Sequence, residues 1–181
     1  TSFTQAYLLE LNGSTVVIRN NVFLSSVTPS AKGSTATISL SQNSGLPSNY
    51  NSFYSSNSFN SCNWGSKTNQ FSSGWFGKDT NSLATQPRWP DTRGSLEDFH
   101  PKSIAGRYRP ATQNFLPDTL TAGTIDTADP GESFALEIAP DGGRANMGSY
   151  GNTDEASKGS GNSPASSVTV SNVAGTTVTV G

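Results

Sequence analysis

The stretch from Asp141 to Ser157, DGGRANMGSYGNTDEAS, decides the fold. Its four glycines permit tight reversals and close approach of the backbone. Met147 and Tyr150 add apolar mass, and Arg144 carries several donors that can bind carbonyl groups or a carboxylate. A stack of strands has an exposed end that must be covered against aggregation, and these residues are suited to covering it. We therefore predict that this glycine-rich segment is a structural cap rather than a catalytic or binding loop.

The composition favours an extracellular all-β protein. The chain has 181 residues, only 13% of them charged, and a net charge of -2. It has neither a basic patch for nucleic acid nor an apolar run near the roughly 20 residues of a membrane span. The single cysteine, Cys62, cannot form an internal disulfide, so packing and backbone hydrogen bonds must hold the fold. Three Trp, five Tyr and nine Phe argue against disorder.

Short strand patterns fill residues 1–60, and turn-rich breaks recur about every twenty-odd residues, a spacing typical of a β-solenoid. The stretch VVIRNNVF, residues 16–23, places two asparagines between apolar residues. Asparagine tolerates the left-handed backbone region, and amides of stacked coils can align in a ladder. An antiparallel hairpin with a polar turn fits this stretch equally well, so both alternatives stay open.

The rest of the chain divides by composition. Residues 61–97 lose the alternation and predict a long aromatic-rich excursion. Residues 98–157 hold the terminal coil and the cap, and residues 158–167 resemble a flexible linker. The valines of residues 168–181 predict a β-hairpin, which is either the start of a following module or an arm that pairs with a neighbouring chain.

Three ordered motifs between Asp98 and Ser157 resemble the C-terminal part of right-handed parallel β-helix proteins secreted by bacteria, which are pectate-lyase-like. The chain departs from their pattern in places, with Ala128 in place of a glycine and Asp141 in place of an asparagine. The first motif comprises Asp98, His100, Ser103, Gly106 and Arg107, and the second comprises Ile125, Asp126, Asp129 and Pro130. The third comprises Glu137, Pro140, Gly142, Gly143, Arg144, Asn146, Gly148, Tyr150, Gly151, Thr153, Glu155, Ala156 and Ser157.

The resemblance implies an all-β fold: the last coils of a right-handed parallel β-helix with a C-terminal cap and a short extra β-arm. It also implies a bacterial protein that is secreted or held at the cell surface. We expect a structural or carbohydrate-binding module, such as an adhesin or an assembly component that self-associates through the valine-rich arm. The alternative is the C-terminal part of a polysaccharide lyase or glycoside hydrolase whose catalytic coils lie elsewhere.

Candidate site residues fall into two groups. Aromatic residues of the excursion could stack on sugars, or they could only anchor a long loop. We assign carbohydrate binding to Trp75, Arg88 and Trp89. We assign the structural cap to His100, Arg107, Asp126, Asp129, Arg144, Asn146 and Tyr150. No catalytic residue, metal ligand or cofactor is assigned, although the acidic residues have the oxygen chemistry that calcium takes, and calcium stays open.

Overall fold

The computed structural model describes residues 7–12, 16–25, 36–41, 47–55, 61–64, 67–70 and 79–159. Every regular element within these ranges is a strand, so the described chain is all-β, as its composition predicts. The ten strands are β1 Tyr7–Asn12, β2 Ile18–Arg19, β3 Val22–Ser25, β4 Ala36–Ser41, β5 Ser48–Asn49, β6 Ser52–Ser55, β7 Ser61–Trp64, β8 Lys67–Gln70, β9 Arg107–Arg109 and β10 Asn114–Leu116. No helix long and apolar enough to cross a membrane occurs in the described ranges.

Successive passes of the chain pair in parallel. The first pass contains β1 to β3, the second contains β4 to β6, and the third begins at β7. Strand β1 pairs with β4, β2 with β5 and β3 with β6, all in parallel. Asn21 and Asn51, which lie 30 positions apart, are also bonded to each other. Equivalent positions of the first two passes are thus 29 or 30 residues apart, whereas β7 follows β4 by only 24 or 25 residues, within the twenty-odd that the turn spacing suggests.

The third pass continues the same pairing. Strand β7 pairs in parallel with β4 and antiparallel with β8, which gives a four-stranded sheet of order β1-β4-β7-β8. Leu83 then forms a parallel bridge with Ser52. Strands β7 and β8 thus lie within the first part of the predicted excursion over residues 61–97, where pairing with neighbouring strands supports segments that local preference does not single out.

The turn between β2 and β3 repeats in the second pass. Asn20 has φ 60° and Tyr50 has φ 53°, so both equivalent positions are left-handed. The backbone N–H of Asn20 donates to the carbonyl of Tyr50 at 2.8 Å. Because β2 and β3 each pair with a later strand and not with each other, the antiparallel hairpin is wrong for this stretch.

A ladder of polar side chains links the passes beside this turn. The Nδ2 of Asn21 donates to Oδ1 of Asn51 at 3.2 Å, and the N–H of Asn51 donates to the Ser82 hydroxyl at 2.8 Å. Asn51 is fully buried, and its own Nδ2 donates to the carbonyl of Ile18 at 2.9 Å. Each pass therefore bonds the next through side chains as well as through backbone, because a buried amide must find partners.

Apolar side chains stack in the same direction as the strands. Phe23 and Phe53 are partners in the β3–β6 register, and their rings are parallel with centroids 5.2 Å apart. Phe53 is fully buried. Such stacked aromatic pairs add to the free energy gained by burying the rings.

The glycine-rich segment contacts all three passes. Its Met147 and Ala145, together with Ala128, form a buried cluster. The side chains that pack against this cluster are Val22, Tyr50, Leu83 and Phe134. In addition, the N–H of Gly148 donates to the carbonyl of Asn20 at 2.8 Å. The contacts of the segment thus run across successive passes and are not confined to the last one.

The packed region extends past the predicted start of the linker at residue 158. The N–H of Lys158 donates to the Gly106 carbonyl at 2.8 Å, and the N–H of Gly159 donates to the Pro140 carbonyl at 2.8 Å. Gly159 is buried. These two residues belong to the packed body, whereas the rest of the predicted linker and the valine-rich arm of residues 168–181 lie outside the described residues.

Candidate functional site

An aromatic cleft runs beside strand β3. Trp89 and Phe99 pack edge to face, with ring centroids 5.0 Å apart and planes at 79°. Both rings line each of two cavities of about 370 and 440 Å³, which also share Val22 as a lining residue. The other described residues that line the smaller cavity are Asn20, Asn21, Gly148 and Ser149, and those of the larger are Phe23, Leu24 and Thr92.

The chemistry of this cleft suits a neutral, hydroxyl-rich ligand. Aromatic rings offer faces for apolar C–H surfaces, and amide and hydroxyl side chains offer hydrogen bonds. No Asp, Glu, Lys or Arg is among the described residues that line either cavity. Phe99 is 37% exposed and Trp89 is half-buried, so part of this aromatic surface faces solvent.

The structure describes two of the three predicted carbohydrate-binding residues, Arg88 and Trp89. Trp89 lines the cleft, whereas its neighbour Arg88 is exposed and lies outside the lining. Arg88 has φ 56°, and its carbonyl accepts a hydrogen bond from Lys102 at 3.2 Å. Trp75 lies outside the described residues. The aromatic partner that Trp89 has in the structure, Phe99, was not singled out from the sequence.

A chain of ion pairs holds the first motif together. Arg107 is 2% exposed and bonds both to Oδ2 of Asp98 and, at 3.1 Å, to Oδ2 of Asp118. Arg109 extends the chain with a 2.9 Å bond to Oδ1 of Asp118. The buried guanidinium of Arg107 thus lies between two carboxylates, the arrangement that compensates for taking these charges out of water.

His100 lies within this network. Its Nδ1 donates to Oδ1 of Asp98 at 2.7 Å, and its ring stacks on that of Tyr150 with centroids 3.5 Å apart. Its Nε2 lies 3.4 Å from Oε2 of Glu155. Because the side chain is only 1% exposed, a substrate in solution cannot reach it in this arrangement.

Arg144 bonds to backbone carbonyls and not to a carboxylate. Its guanidinium donates to the carbonyls of Ala128 and, at 3.0 Å, Thr127, and it lies 5.3 Å from the ring centroid of Tyr50. The carboxylate of Asp129 lies 3.8 Å from the guanidinium of Arg19, and its N–H donates to Oδ1 of Asn20 at 2.7 Å. The sequence allowed either carbonyls or a carboxylate for Arg144, and the structure has the carbonyls.

Asn146 connects three segments. Its N–H donates to Oε1 of Glu137 at 2.9 Å, its Oδ1 accepts from the N–H of Asp126 at 2.8 Å, and its Nδ2 donates to the carbonyl of Ser157 at 2.7 Å. The side chain is 2% exposed.

Burial raises the pKa of Asp126 to about 7, with added repulsion from Glu137 and Asp141 and partial compensation from Arg144. Burial also raises the pKa of Glu137, against the hydrogen bonds it accepts.

The acidic residues do not form a metal centre in the part of the chain that the structure describes. No group of three or more His, Cys, Asp and Glu side chains there is arranged to hold a metal ion. Glu132 instead pairs with Arg19 at 2.9 Å. Calcium binding, left open from the sequence, gains no ligand set among these residues.

Comparison of the chain with protein-family models, curated proteins and solved structures finds no match. The class that the described residues define is an all-β protein whose successive passes pair in parallel. Within this architecture, the aromatic cleft is accessible to a ligand, whereas the polar networks around Arg107 and Asn146 are buried.

Proposed function

We propose that the chain forms the last coils of a right-handed parallel β-helix and serves as an extracellular or cell-surface module of a bacterial protein that binds carbohydrate. The parallel pairing of three successive passes supports the coil architecture. Right-handedness follows from the strong preference of parallel crossovers for that hand. The charge-poor composition, and the resemblance of its motifs to secreted proteins, support the location.

The aromatic cleft is the observation that carries carbohydrate binding. Trp89 and Phe99 supply ring faces and edges, and Asn20 and Ser149 supply polar groups at the rim of the same cavity. Since no charged side chain lines the cleft among the described residues, we assign it to a neutral polysaccharide and not to an acidic one. Adhesion or assembly through the valine-rich arm stays a prediction for residues 168–181.

Trp89→Ala is expected to weaken binding of a neutral polysaccharide about tenfold or more, because aromatic anchors dominate such contacts. Isothermal titration against a panel of neutral and acidic polysaccharides measures the effect. Leu96→Ala is the matched control, since Leu96 is 60% exposed on the same connecting segment and does not line the cleft. The thermal midpoint of each variant shows whether the fold is retained, and Phe99→Ala provides a second, more exposed probe.

Failure of the wild-type chain to bind any neutral polysaccharide, or unchanged binding by a folded Trp89→Ala variant, would reject the assignment. The same incubations are assayed for new reducing or unsaturated ends. Their appearance would favour the alternative of a degradative enzyme over a binding module.

A further inference from the structure

The side chain of Asp126 is half-buried where three segments meet, with its Oδ1 shielded from solvent. A Cβ added to either Gly142 or Gly159 would collide with its carboxylate, so backbone closes on the group from two sides. Gly159 is itself fixed by donating its N–H to the carbonyl of Pro140 at 2.8 Å. The segment around Asp126, the start of the glycine-rich segment and the end of the described chain therefore close on this one carboxyl group.

Glu137 lies close enough to repel the carboxylate of Asp126, and only one of its two carboxylate oxygens has hydrogen-bond partners. Its side chain is 7% exposed, and Oε1 accepts from the N–H groups of Asn146 at 2.9 Å and Asn152 at 2.8 Å. Among the described residues, the buried Oε2 of Glu137 and the buried Oδ1 of Asp126 have no hydrogen-bond partner. A buried carboxylate oxygen without a partner is costly in its charged form.

The charged groups around Asp126 are mostly negative. Glu137 and Asp141 repel its carboxylate, and among the described residues Arg144 is the cation that attracts it. Arg144 already donates to the carbonyls of Thr127 and Ala128. The closed arrangement therefore favours the neutral form of Asp126.

We infer that Asp126 and Glu137 form a proton-operated latch, in which Asp126 carries a proton while the glycine-rich segment is closed over residues 122–128. Loss of that proton places a second charge beside Glu137 in a buried site. The segment then loosens where Asn146, Gly142 and Gly159 hold it. This inference is independent of carbohydrate binding.

The latch predicts that the stability of the folded chain decreases as pH rises from 5 to 7. The pKa of Asp126 is raised from 3.8 to about 7 in the folded chain, so the folded state binds this proton more tightly than the unfolded state. The stability that the proton contributes is fully present below pH 3.8 and is lost as pH rises through about 7. Between pH 5 and 7 the unfolding equilibrium constant should rise by about threefold to tenfold per pH unit, with a plateau above pH 8.

Chemical unfolding of the full chain between pH 5 and 9 tests the latch. For the wild-type chain, the denaturant concentration at which half of the molecules are unfolded should fall from pH 5 to 7 and then level off. Asp126→Asn, which keeps the shape and suits the residue's φ of 58°, should abolish most of this fall and be more stable than wild type at pH 8. Asp154→Asn, an exposed change in the glycine-rich segment, should retain the wild-type profile.

Two further measurements localise the effect. Glu137→Gln removes the charge that repels the Asp126 carboxylate, so the pKa of Asp126 should decrease. The fall in the unfolding midpoint should then occur at lower pH. Hydrogen exchange at pH 8, corrected for intrinsic rates, should be slower in Asp126→Asn for the amides of Asn146 and Asn152. A flat or rising wild-type midpoint between pH 5 and 7 overturns the latch, as does an equal fall in Asp126→Asn. A gain in stability from calcium chloride that Asp126→Asn loses also overturns it, because the pair would then hold a cation.

Discussion

Replacing Arg107 with methionine is expected to lower the free energy of unfolding by about 3–5 kcal/mol, since removing one partner leaves uncompensated buried charge. Arg107 is 2% exposed and lies between the carboxylates of Asp98 and Asp118. Methionine retains much of the aliphatic volume, so the loss reports mainly on charge. Denaturant unfolding at pH 7 measures it directly.

Arg93→Met is the matched control for Arg107→Met. Arg93 also pairs with an aspartate, Asp91, but its side chain is 77% exposed. An exposed pair of this kind contributes little, so the control should have almost wild-type stability. Equal effects of the two substitutions would show that the buried ion pairs do not hold the first motif in place.

Asn51→Ala is expected to destabilise the chain by on the order of 4 kcal/mol. The substitution deprives the N–H of Asn21 and the carbonyl of Ile18 of the Asn51 side chain, and each lost partner costs about 1–3 kcal/mol. It also removes the buried bond from Nδ2 to the Ser48 hydroxyl. Thermal and denaturant unfolding, followed together, measure the loss.

Asn21→Ala provides the graded comparison. Asn21 is exposed, so its amide can be replaced by water, and its removal should cost much less than that of Asn51. If the two substitutions cost the same, or if Asn51→Ala is tolerated without loss, the ladder does not connect the passes. Circular dichroism in the far ultraviolet would separate a weakened fold from an unfolded one.

At Asn20 and Asn21 the sequence predicts the turn but not the strands that it joins. Tolerance of the left-handed region predicts a sharp turn there, and Asn20 has φ 60°. It does not choose between a hairpin and a turn between sheets, because both need the same backbone. The decision depends on the partner strand, which lies 30 positions away.

Strands β7 and β8 escaped prediction for a related reason. Strand β7, SCNW, has only four residues, and strand β8, KTNQ, is polar throughout, so local preference does not identify them. Strand β7 forms because β4 offers a free edge for pairing, and β8 then pairs with β7. Strand propensity depends strongly on such context.

The sequence singles out Asp126 and Glu137 as motif residues but does not predict their surroundings. Asp126 and Glu137 both belong to the motifs that resemble β-helix caps, but acidic side chains are rarely buried, and nothing local predicts that Glu137 is buried and Asp126 half-buried. The close packing around Asp126 depends on Gly159, which lies two residues beyond the last motif position, in a stretch whose composition is typical of a linker. Phe99 was likewise missed because a single exposed aromatic residue carries no periodic signal.

Disulfide cross-linking of adjacent passes tests the stacked-coil account most directly. Arg19 and Asn49 are register partners, and Asn81 donates its N–H to the side chain of Asn49 at 2.9 Å, which places it on the next pass. In a Cys62→Ser background, Arg19→Cys with Asn49→Cys should oxidise readily, because neighbouring parallel strands lie about 4.8 Å apart. Arg19→Cys with Asn81→Cys spans two passes, about 10 Å, and should not cross-link. Ready cross-linking of the second pair, or none in the first, would contradict the account.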